Sequence, residues 1–327
     1  MSAIHHRKPL KILIIRFSSL GDIVLTTPVI RCLKEQINAD IHFLTKSNYS
    51  SVIKHNPYLS KIWEYHGNEM ELKQQLADEH FDYIVDLHKS LRSHYWCLYL
   101  GRKRLTYSKS SLDKILLIKF GINRVKPIHI SMRYLKAVEP LGVLYDGKGL
   151  DFYFPPEMDY DIPLPASFTA ICIGGTHFTK RFPVDKWKEV IPLIPGPVIL
   201  LGGKGDIDAS NEIETIDPNR ILNFCGQTSI MSSAFIIKKS KHVISNDTGM
   251  MHIAAALGKP LISIWGGTIP EFGFWPLYPD GINLNTTIEV LGLNCRPCSK
   301  FGRADCPKKH FNCMNTISSE SIVDALS

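Results

Sequence analysis

The feature that most constrains this chain is the alternation of short apolar runs with helix-like stretches along nearly its whole length. Single helix patterns separate most neighbouring runs, an order that favours parallel strands joined by right-handed crossovers. The predicted strands cover residues 10–17, 41–45, 83–87, 169–173, 198–201, 221–224, 242–245 and 261–265. Because the alternation occurs in two successive sets, the sequence predicts an α/β protein with two Rossmann-like domains, each built on a parallel sheet.

Chain length and one proline-rich segment indicate where the two domains meet. A chain of 327 residues exceeds what one ordinary hydrophobic core accommodates. The segment 151–167, DFYFPPEMDYDIPLPAS, contains four prolines, which fit neither a central strand nor a helix interior. We therefore predict an N-terminal domain of residues 1–155 and a C-terminal domain of residues 156–327.

Composition indicates a soluble globular chain that stays in the cytoplasm. Apolar residues make up 44% and charged residues 21%, and no apolar run approaches the roughly 18 residues that span a bilayer. The basic N-terminus precedes an apolar run, 12–15, that stops at Arg16 without a small-residue cleavage site, so we expect a strand rather than a signal peptide. In a cytoplasmic protein the eight cysteines are expected as reduced thiols or ligands.

Positive charge is concentrated in the segment 88–126. This segment contains ten Lys and Arg residues and one acid, Asp113, so it carries +9 of a chain whose net charge is +7. Either it forms a solvated helical face, or it binds an anionic partner such as a nucleic acid, an acidic lipid or a phosphorylated glycan. Because the charge is so one-sided we favour an anionic partner, but the charge does not select among the three.

Polar residues that directly follow predicted strands are the first candidates for function, because open parallel sheets bind ligands beyond the carboxyl ends of their strands. After the first strand, RFSSLGDIVLTTP (residues 16–28) turns through Ser-Ser-Leu-Gly and places Asp22 at the start of a helix. Asp22 either caps this helix or acts as a general base. The dinucleotide-binding fingerprint G-x-G-x-x-G is missing here.

Two strand tips in the second half combine glycines with charged side chains. In ICIGGTHFTKRFP the Gly-Gly-Thr turn ends at Thr176, and Lys180 and Arg181 follow in the same short loop, which favours phosphate binding. The loop is no Walker A motif, since G-x-x-x-x-G-K-[ST] is missing. In LGGKGD the acid Asp206 either accepts ribose hydroxyls or caps the following helix.

The stretch SNDTGMMH, residues 245–252, joins an apolar run to a helix of small residues. Free backbone N–H groups near Thr248 and Gly249 predict an anion site, with His252 close to its opening. Asp247 is placed to accept hydrogen bonds from sugar hydroxyls. The alternative is a plain Asp/Thr helix cap, which accounts for neither the glycine nor the histidine.

Four cysteines near the C-terminus have the spacing C-x2-C-x7-C-x6-C, over residues 295–313. The first pair fits a zinc knuckle, but the second pair lacks knuckle spacing. We therefore expect reduced cysteines in an irregular loop and no metal site.

Several separated motifs together resemble one family. They are RFSSLGDIVLTTPVIRCLK, DLHKSLRS, GGTHFTKRFP, the stretch from CGQTS to GGTIP, and the CRPC cysteine cluster, in this order along essentially the whole chain. The chain resembles glycosyltransferase family 9, the ADP-heptose:lipopolysaccharide heptosyltransferase group. The resemblance implies a GT-B fold with the active site in a cleft between two Rossmann-like domains. It also implies inverting, metal-independent transfer of a sugar from a nucleotide donor to a lipid-linked acceptor.

The resemblance assigns roles to individual residues of this chain. Asp22 matches the catalytic base, and Asp247 matches the acid that holds donor-sugar hydroxyls. The donor-binding positions include Thr176 and Lys180 at the diphosphate, together with Arg181, Asp206, Thr248, Gly249 and His252, and the acceptor-binding positions are Ser19, Gly21 and Arg92. The donor is a substrate, by family default ADP-heptose, so no cofactor and no metal is expected.

The same resemblance divides the substrates between the domains, with the acceptor bound by the N-terminal domain and the nucleotide sugar by the C-terminal domain. The basic segment 88–126 then suits an anionic lipid-linked glycan and peripheral contact with the cytoplasmic face of the inner membrane. No nucleic acid is expected as a partner. The chain departs from the family at 266–270, where it reads GGTIP instead of the frequent G-P-T-[DS]-P. Since that loop borders the donor site, the donor sugar is not a deduction from these residues.

Two other functions are compatible with parts of the sequence. A GT-B sugar-nucleotide 2-epimerase would need no lipid acceptor and no basic acceptor surface. A nucleic-acid-binding protein that used the basic segment and the cysteine cluster would bind zinc and show salt-dependent affinity. That second alternative leaves SNDTGMMH unexplained.

Overall fold

The computed structural model describes residues 8–67, 69–157 and 161–326, and they form two compact units. The first unit comprises the described residues up to Lys109 together with Ile130–Pro155. The second comprises Ser110–His129 together with the described residues from Pro156 onwards. The chain thus crosses between the units at residues 109–110 and 129–130, and a last time within the proline-rich segment, at 155–156.

The segment 110–129 corrects the predicted domain division, which assigned it to the N-terminal domain. It belongs to the second unit because two of its side chains bind backbone carbonyls there. Lys114 Nζ donates to the carbonyl of Phe272 at 2.7 Å, and the His129 ring nitrogen Nε2 lies 2.9 Å from the carbonyl of Trp275. This excursion of residues 110–129 into the second unit begins inside the basic segment 88–126, so the charge does not mark where it starts.

Strands and helices alternate through both units. In the first unit they are β1 (Leu10–Ile15), α1 (Leu20–Val24), α2 (Thr27–Gln36), β2 (Ala39–Lys46), α3 (Ser47–Ser50), β3 (Lys61–Tyr65), α4 (Met70–Asp78), β4 (Tyr83–Asp86), α5 (Leu91–Leu100), β5 (Lys103–Thr106) and, beyond the excursion, α7 (Ile130–Leu135). In the second unit they are α6 (Ser111–Phe120), β6 (Thr169–Cys172), α8 (Val184–Val190), β7 (Val198–Leu201), α9 (Ile207–Glu214), β8 (Ile221–Asn223), α10 (Ile230–Lys239), β9 (His242–Asn246), α11 (Gly249–Ala256), β10 (Leu261–Trp265), β11 (Asn285–Glu289), α12 (Asn312–Asn315) and α13 (Ser319–Asp324).

The first sheet is parallel, with the strand order β3-β2-β1-β4-β5. Its centre is apolar because β1 supplies four consecutive side chains with 0% exposure, Ile12, Leu13, Ile14 and Ile15. Each such burial stabilises the fold by about 1.5–3 kcal/mol. The strand order reverses between β1 and β4, so the loops after these two strands lie at the topological switch point.

The second sheet is also parallel, with the strand order β11-β10-β9-β6-β7-β8. All residues of β6, β7 and β10 are buried, as expected for strands covered on both faces. Here the order reverses between β6 and β9, and the loops after these strands form the second switch point. The two sheets confirm the predicted α/β fold with two Rossmann-like units.

Pro28 divides the helical stretch that follows β1. The proline lies in the first turn of α2, where its missing N–H is not needed, and α1 ends before it. Asp22 consequently lies on a separate helix of five residues. Among the described residues, no helix combines the length and apolar character needed to cross a membrane.

Candidate active site

The tip of β1 carries a polar cluster built around Asp22. Its carboxylate pairs with Arg16, with Oδ1 2.6 Å from Nη2, and accepts hydrogen bonds from the backbone N–H and the hydroxyl of Ser19 at 3.1 and 2.7 Å. Ser19 is the residue before α1 and Asp22 is in its first turn, so Asp22 does cap the helix. With 21% of its side chain exposed, Asp22 also reaches solvent.

Arg16 holds the Asp22 carboxylate from inside the fold. The Arg16 side chain is 9% exposed, its Nε donates to the carbonyl of Ser18 at 2.7 Å, and its Nη1 donates to the carbonyl of Leu87 at 2.5 Å. Since Leu87 directly follows β4, Arg16 joins the loops of the two strands at the switch point. Arg16 was not predicted from the sequence; the available signal was a charged residue directly after the four buried residues that end β1.

Burial and charge act in opposite directions on Asp22. Burial raises the pKa of this carboxyl, but the Arg16 charge and the hydrogen bonds from Ser19 outweigh it, and the pKa lies below its usual value. Asp22 is therefore ionised throughout the neutral range. A carboxylate that is ionised, fixed in position and partly exposed is able to accept a proton from a substrate hydroxyl.

His88 lies beside this pair, on the loop after β4. Its ring packs edge-to-face on Phe17 with centroids 5.4 Å apart, and its Nδ1 has no hydrogen-bond partner in the part of the chain that the structure describes. Burial and the neighbouring Arg16 charge lower the pKa of His88 to about 4. The imidazole is consequently neutral at physiological pH.

The lowered pKa of His88 predicts a loss of stability in weak acid. An unfolded chain protonates this histidine near pH 6.5, whereas the folded chain does so only near pH 4. As the pH falls between these values the unfolded state gains a proton that the native state lacks, which lowers the free energy of unfolding by up to about 3 kcal/mol. The thermal midpoint of the wild type should therefore drop more between neutral pH and about pH 4.5 than that of His88→Asn.

The control for this measurement is His66→Asn, which removes a histidine whose side chain is 64% exposed. It should show the same acid-induced drop as the wild type. If His88→Asn also drops as far as the wild type, then His88 does not cause the loss of stability.

The three predicted acceptor-binding residues have different environments. Arg92 is exposed on α5, and its guanidinium lies over the rings of Phe17 and Tyr65, at 5.9 and 5.4 Å from their centroids. Ser19 is exposed, whereas Gly21 is buried within α1. Arg92 and Ser19 thus present polar side-chain atoms to solvent, whereas Gly21 has no side chain to present.

Several cations of the basic segment 88–126 bind groups of the protein itself. Arg104 pairs with Asp86, whose side chain is 0% exposed, at 2.5 Å. Lys109 Nζ donates to the carbonyl of Lys89 at 2.6 Å. These cations therefore stabilise the fold itself, and the segment is divided between the two units.

Asp247 is the centre of a second polar cluster, at the tip of β9. Its Oδ2 pairs with Lys180 Nζ at 2.6 Å and accepts a hydrogen bond from the Thr268 hydroxyl at 2.7 Å. Lys180 Nζ also donates to the backbone carbonyl of Asp247 at 3.3 Å. The Asp247 side chain is 6% exposed and that of Lys180 18%. Loops after β6, β9 and β10 therefore converge on one carboxylate.

Thr268, which was not predicted as a site residue, is held in place by Arg296. The Arg296 side chain is 5% exposed, and it donates from Nε to the carbonyl of Gly266 at 2.6 Å and from Nη2 to the carbonyl of Thr268 at 3.0 Å. Between these carbonyls only glycine fits, because a Cβ atom on Gly267 would lie 2.8 Å from the sulfur of Cys298. The cysteine loop thus positions the turn that binds Asp247.

Arg181 and Asp206 lie together beside the Gly-Gly turn after β6. Arg181 Nε donates to the carbonyl of Gly175 at 2.6 Å, and Nη2 lies 3.8 Å from Asp206 Oδ1. Asp206 Oδ2 accepts a hydrogen bond from Gly203 N–H at 2.8 Å, so Asp206 has the capping role that the sequence allowed. Gly174 is required here, since a Cβ atom on it would lie 2.7 Å from that same oxygen.

The remaining predicted donor-binding residues lie around α11 and the loop after β6. The helix begins at Gly249, and within the described chain the Thr248 side chain makes no capping hydrogen bond to it. Backbone N–H groups of this first turn therefore suit an anion. Thr176 is exposed. His252 is 3% exposed, which corrects the expectation that it faces the opening: α11 packs this side chain into the fold.

The late cysteines form no disulfide in the described chain. Cys295 Sγ lies 3.8 Å from His310 Nε2, and Cys298 Sγ donates to the carbonyl of Gly267 at 3.5 Å. Within the described residues, no group of three or more His, Cys, Asp or Glu side chains is arranged to hold a metal ion. Cys298 is thus part of the packing around the turn after β10.

The two clusters lie at the positions where doubly wound sheets bind their ligands. The first presents an ionised, partly exposed carboxylate. The second offers a lysine, a buried acid and a helix N-terminus, which are the groups that bind phosphate and sugar hydroxyls. Such a fold with such groups suits the class of enzymes that transfer a group from a phosphate-bearing donor to a hydroxyl.

Sequence comparison identifies the family within this class. The profile of Glycosyltransferase family 9 (heptosyltransferase) matches residues 70–309, and the chain belongs to this family. Lipopolysaccharide heptosyltransferase 1 of Campylobacter coli is 23% identical over 346 aligned positions, which cover 96% of this chain and 97% of that protein. The predicted family is confirmed, and the chain is a glycosyltransferase.

Solved structures share the fold. A glycosyltransferase family 9 protein from Veillonella parvula superposes with a TM-score of 0.75 at 18% identity, over 97% of this chain and 96% of that one. The E. coli ADP-heptose lipopolysaccharide heptosyltransferase II superposes with a TM-score of 0.71 at 19% identity, over 97% of each chain. The predicted GT-B fold class is confirmed by these likenesses.

Proposed function

We propose that this enzyme transfers heptose from ADP-heptose to a lipopolysaccharide-core or other lipid-linked glycan acceptor, with inversion and without a metal ion. The observation that carries the proposal is the cluster of Lys180, Asp247 and Thr268 beside the N-terminus of α11. Its charges suit a sugar diphosphate, and the relative from Campylobacter coli is named as a lipopolysaccharide heptosyltransferase.

The donor site divides its groups between phosphate and sugar. Lys180 supplies positive charge to the diphosphate, together with backbone N–H groups at Gly249 and the hydroxyl of Thr176. Asp247 accepts hydrogen bonds from hydroxyls of the donor sugar, and Thr268 holds the Asp247 carboxylate in place. Charge that develops on the leaving nucleoside diphosphate strengthens its attraction to Lys180, so the transition state is stabilised more than the ground state.

Asp22 supplies the base. The acceptor oxygen attacks the anomeric carbon on the face opposite the diphosphate, and the new glycosidic bond forms as the bond to the diphosphate oxygen breaks. The hydroxyl proton passes to the Asp22 carboxylate, and this single displacement inverts the configuration. Because Arg16 lowers the pKa of Asp22, we place the proton transfer late, when the attacking oxygen has become acidic.

The acceptor is assigned to the exposed groups of the first unit. Arg92 binds an anionic group of the acceptor, and exposed cations of the basic segment favour peripheral contact with the cytoplasmic face of the inner membrane. A sugar-nucleotide epimerase would need neither feature. Family membership likewise favours sugar transfer over nucleic-acid binding.

A thermal-shift screen with ADP-, GDP-, UDP- and CMP-sugars tests the donor. We expect ADP-heptose to raise the thermal midpoint at concentrations at which the other nucleotide sugars have no effect, because only a bound ligand stabilises the native state. A shift with a different nucleotide alone would replace the proposed donor. Transfer assays in EDTA test metal independence, and loss of transfer in EDTA would contradict it.

A further inference from the structure

Helix α6 buries a lysine and exposes apolar side chains. Its sequence, SLDKILLIKF, is largely apolar, yet Lys114 is buried and every apolar side chain of the helix is partly or largely exposed. Leu112 is 76% exposed, Phe120 67%, and Ile122, just after the helix, 47%. Such a cluster of exposed large apolar side chains is unfavourable in water and indicates an interaction surface.

Lys114 and His129 fix this segment on the second unit. Lys114 Nζ donates to the carbonyl of Phe272 and lies over the rings of Phe272 and Phe274, 4.9 and 5.1 Å from their centroids. The rings of His129 and Trp275 pack edge-to-face with centroids 5.0 Å apart. The outward position of the apolar residues therefore follows from defined contacts of the segment at both ends.

Basic residues border the exposed apolar side chains. Lys119, Arg124 and Lys126 are exposed, and the segment 111–126 contains one acid, Asp113. Apolar side chains beside Lys and Arg are typical of helices that lie in the interface of an anionic membrane. A two-fold dimer through this face would bring the same cations against each other, which disfavours a second copy as the occupant.

We propose that α6 inserts its apolar side chains into an anionic lipid surface. Leu112, Phe120 and Ile122 enter the boundary between headgroups and acyl chains, and the neighbouring cations bind headgroup phosphates. The inference extends the proposed function and rests on it in one respect, namely that the acceptor is lipid-linked. Helix α6 lies in the N-terminal half of the sequence, but in the fold it belongs to the second unit, which carries the proposed donor site.

Co-sedimentation with vesicles tests the inference without donor or acceptor. The vesicles contain phosphatidylcholine alone or phosphatidylcholine with an equal amount of phosphatidylglycerol. The wild type should bind the anionic vesicles more tightly, with an affinity that falls as salt rises. The double variant Leu112→Ser with Phe120→Ser should bind them about tenfold more weakly or worse, because two large apolar side chains no longer enter the bilayer.

The matched control is Leu291→Ser, because Leu291 is 77% exposed in the same unit but lies outside the segment. Its vesicle affinity should equal that of the wild type. The inference is wrong if the double variant binds as tightly as this control, or if the wild type does not bind anionic vesicles. A wild-type dimer in sedimentation velocity that the double variant dissociates, with unchanged vesicle binding, would assign the face to a second copy.

Transfer is measured separately in the same variants, with ADP-heptose and a lipid-free acceptor fragment. The double variant should retain wild-type transfer to this soluble acceptor, since neither substitution changes a proposed substrate-binding residue. Loss of vesicle binding with retained transfer supports the membrane surface. Absence of transfer in the wild type would contradict the proposed function and leave the vesicle result valid.

Discussion

Asp22→Asn is expected to lower the rate of sugar transfer by about 10²–10⁴-fold while the affinity for ADP stays near the wild-type value. Asparagine has nearly the same shape, and its one carbonyl oxygen still accepts hydrogen bonds from Ser19 or from Arg16, but its amide does not take up the acceptor proton. The proposed donor-binding cluster belongs to the second unit, so the affinity for ADP should not change. Single-turnover transfer and calorimetric titration measure the two quantities separately.

Ser19→Ala is the matched control for this variant. It removes the hydroxyl that donates to Asp22 at 2.7 Å but leaves the carboxylate and its pair with Arg16, so the rate should fall by less than about tenfold. Near-normal transfer in Asp22→Asn would exclude Asp22 as the base. The pH profile is a further check: because the pKa of Asp22 is lowered, the rate should be level through neutral pH and fall only as the pH drops through that lowered value.

Lys180→Met is expected to weaken ADP binding by about 10- to 100-fold, because a charge-assisted hydrogen bond to the diphosphate is lost. Methionine keeps the apolar length of the side chain and removes only the ammonium group. The change also leaves the Asp247 carboxylate, 6% exposed, without the charge that neutralises it. The free energy of unfolding should therefore fall by about 3 kcal/mol, and calorimetry well below the thermal midpoint separates this effect from the loss of affinity.

Asp247→Asn distinguishes phosphate binding from sugar binding. It releases Lys180 from its ion pair, so ADP should bind as tightly as in the wild type or more tightly, whereas transfer from ADP-heptose should fall. Lys186→Met is the control for Lys180→Met. Lys186 pairs with Glu189 and not with Asp247, so its loss should not change the affinity for ADP. Unchanged ADP affinity in Lys180→Met would mean that Lys180 only holds Asp247.

The strands that the sequence predicts and those that it misses have different places in the sheets. The predicted strands include every central one, because a strand covered on both faces needs a continuous apolar run. The missed strands, β3, β5 and β11, all lie at sheet edges. In β5, which reads KRLT, Leu105 is the one buried residue, so the strand has no apolar pattern to detect.

The site residues that could be predicted are those that a short stretch of neighbouring residues identifies. Asp247 directly follows β9 and Asp22 lies in the first turn of the helix after β1, and a polar group beyond the carboxyl end of a parallel strand is visible without a structure. Lys180 was predicted as a diphosphate-binding residue, but its pairing with Asp247 was not, and Thr268 was not predicted. The two residues lie 67 and 21 residues from Asp247 in the chain. These partners meet only because β9 pairs with β6 on one side and β10 on the other.

The fold class, the family and the strand tips that carry the chemistry follow from the amino-acid sequence alone, since hydrophobic periodicity and short polar motifs involve neighbouring residues. Three features became visible only in the three-dimensional fold: Arg16 holds Asp22, Arg296 holds the turn at Thr268, and helix α6 belongs to the second unit. Each of these depends on strand order or on a buried side chain that reaches a distant backbone carbonyl. No local pattern encodes such a contact, because its energy comes from groups that the fold alone brings together.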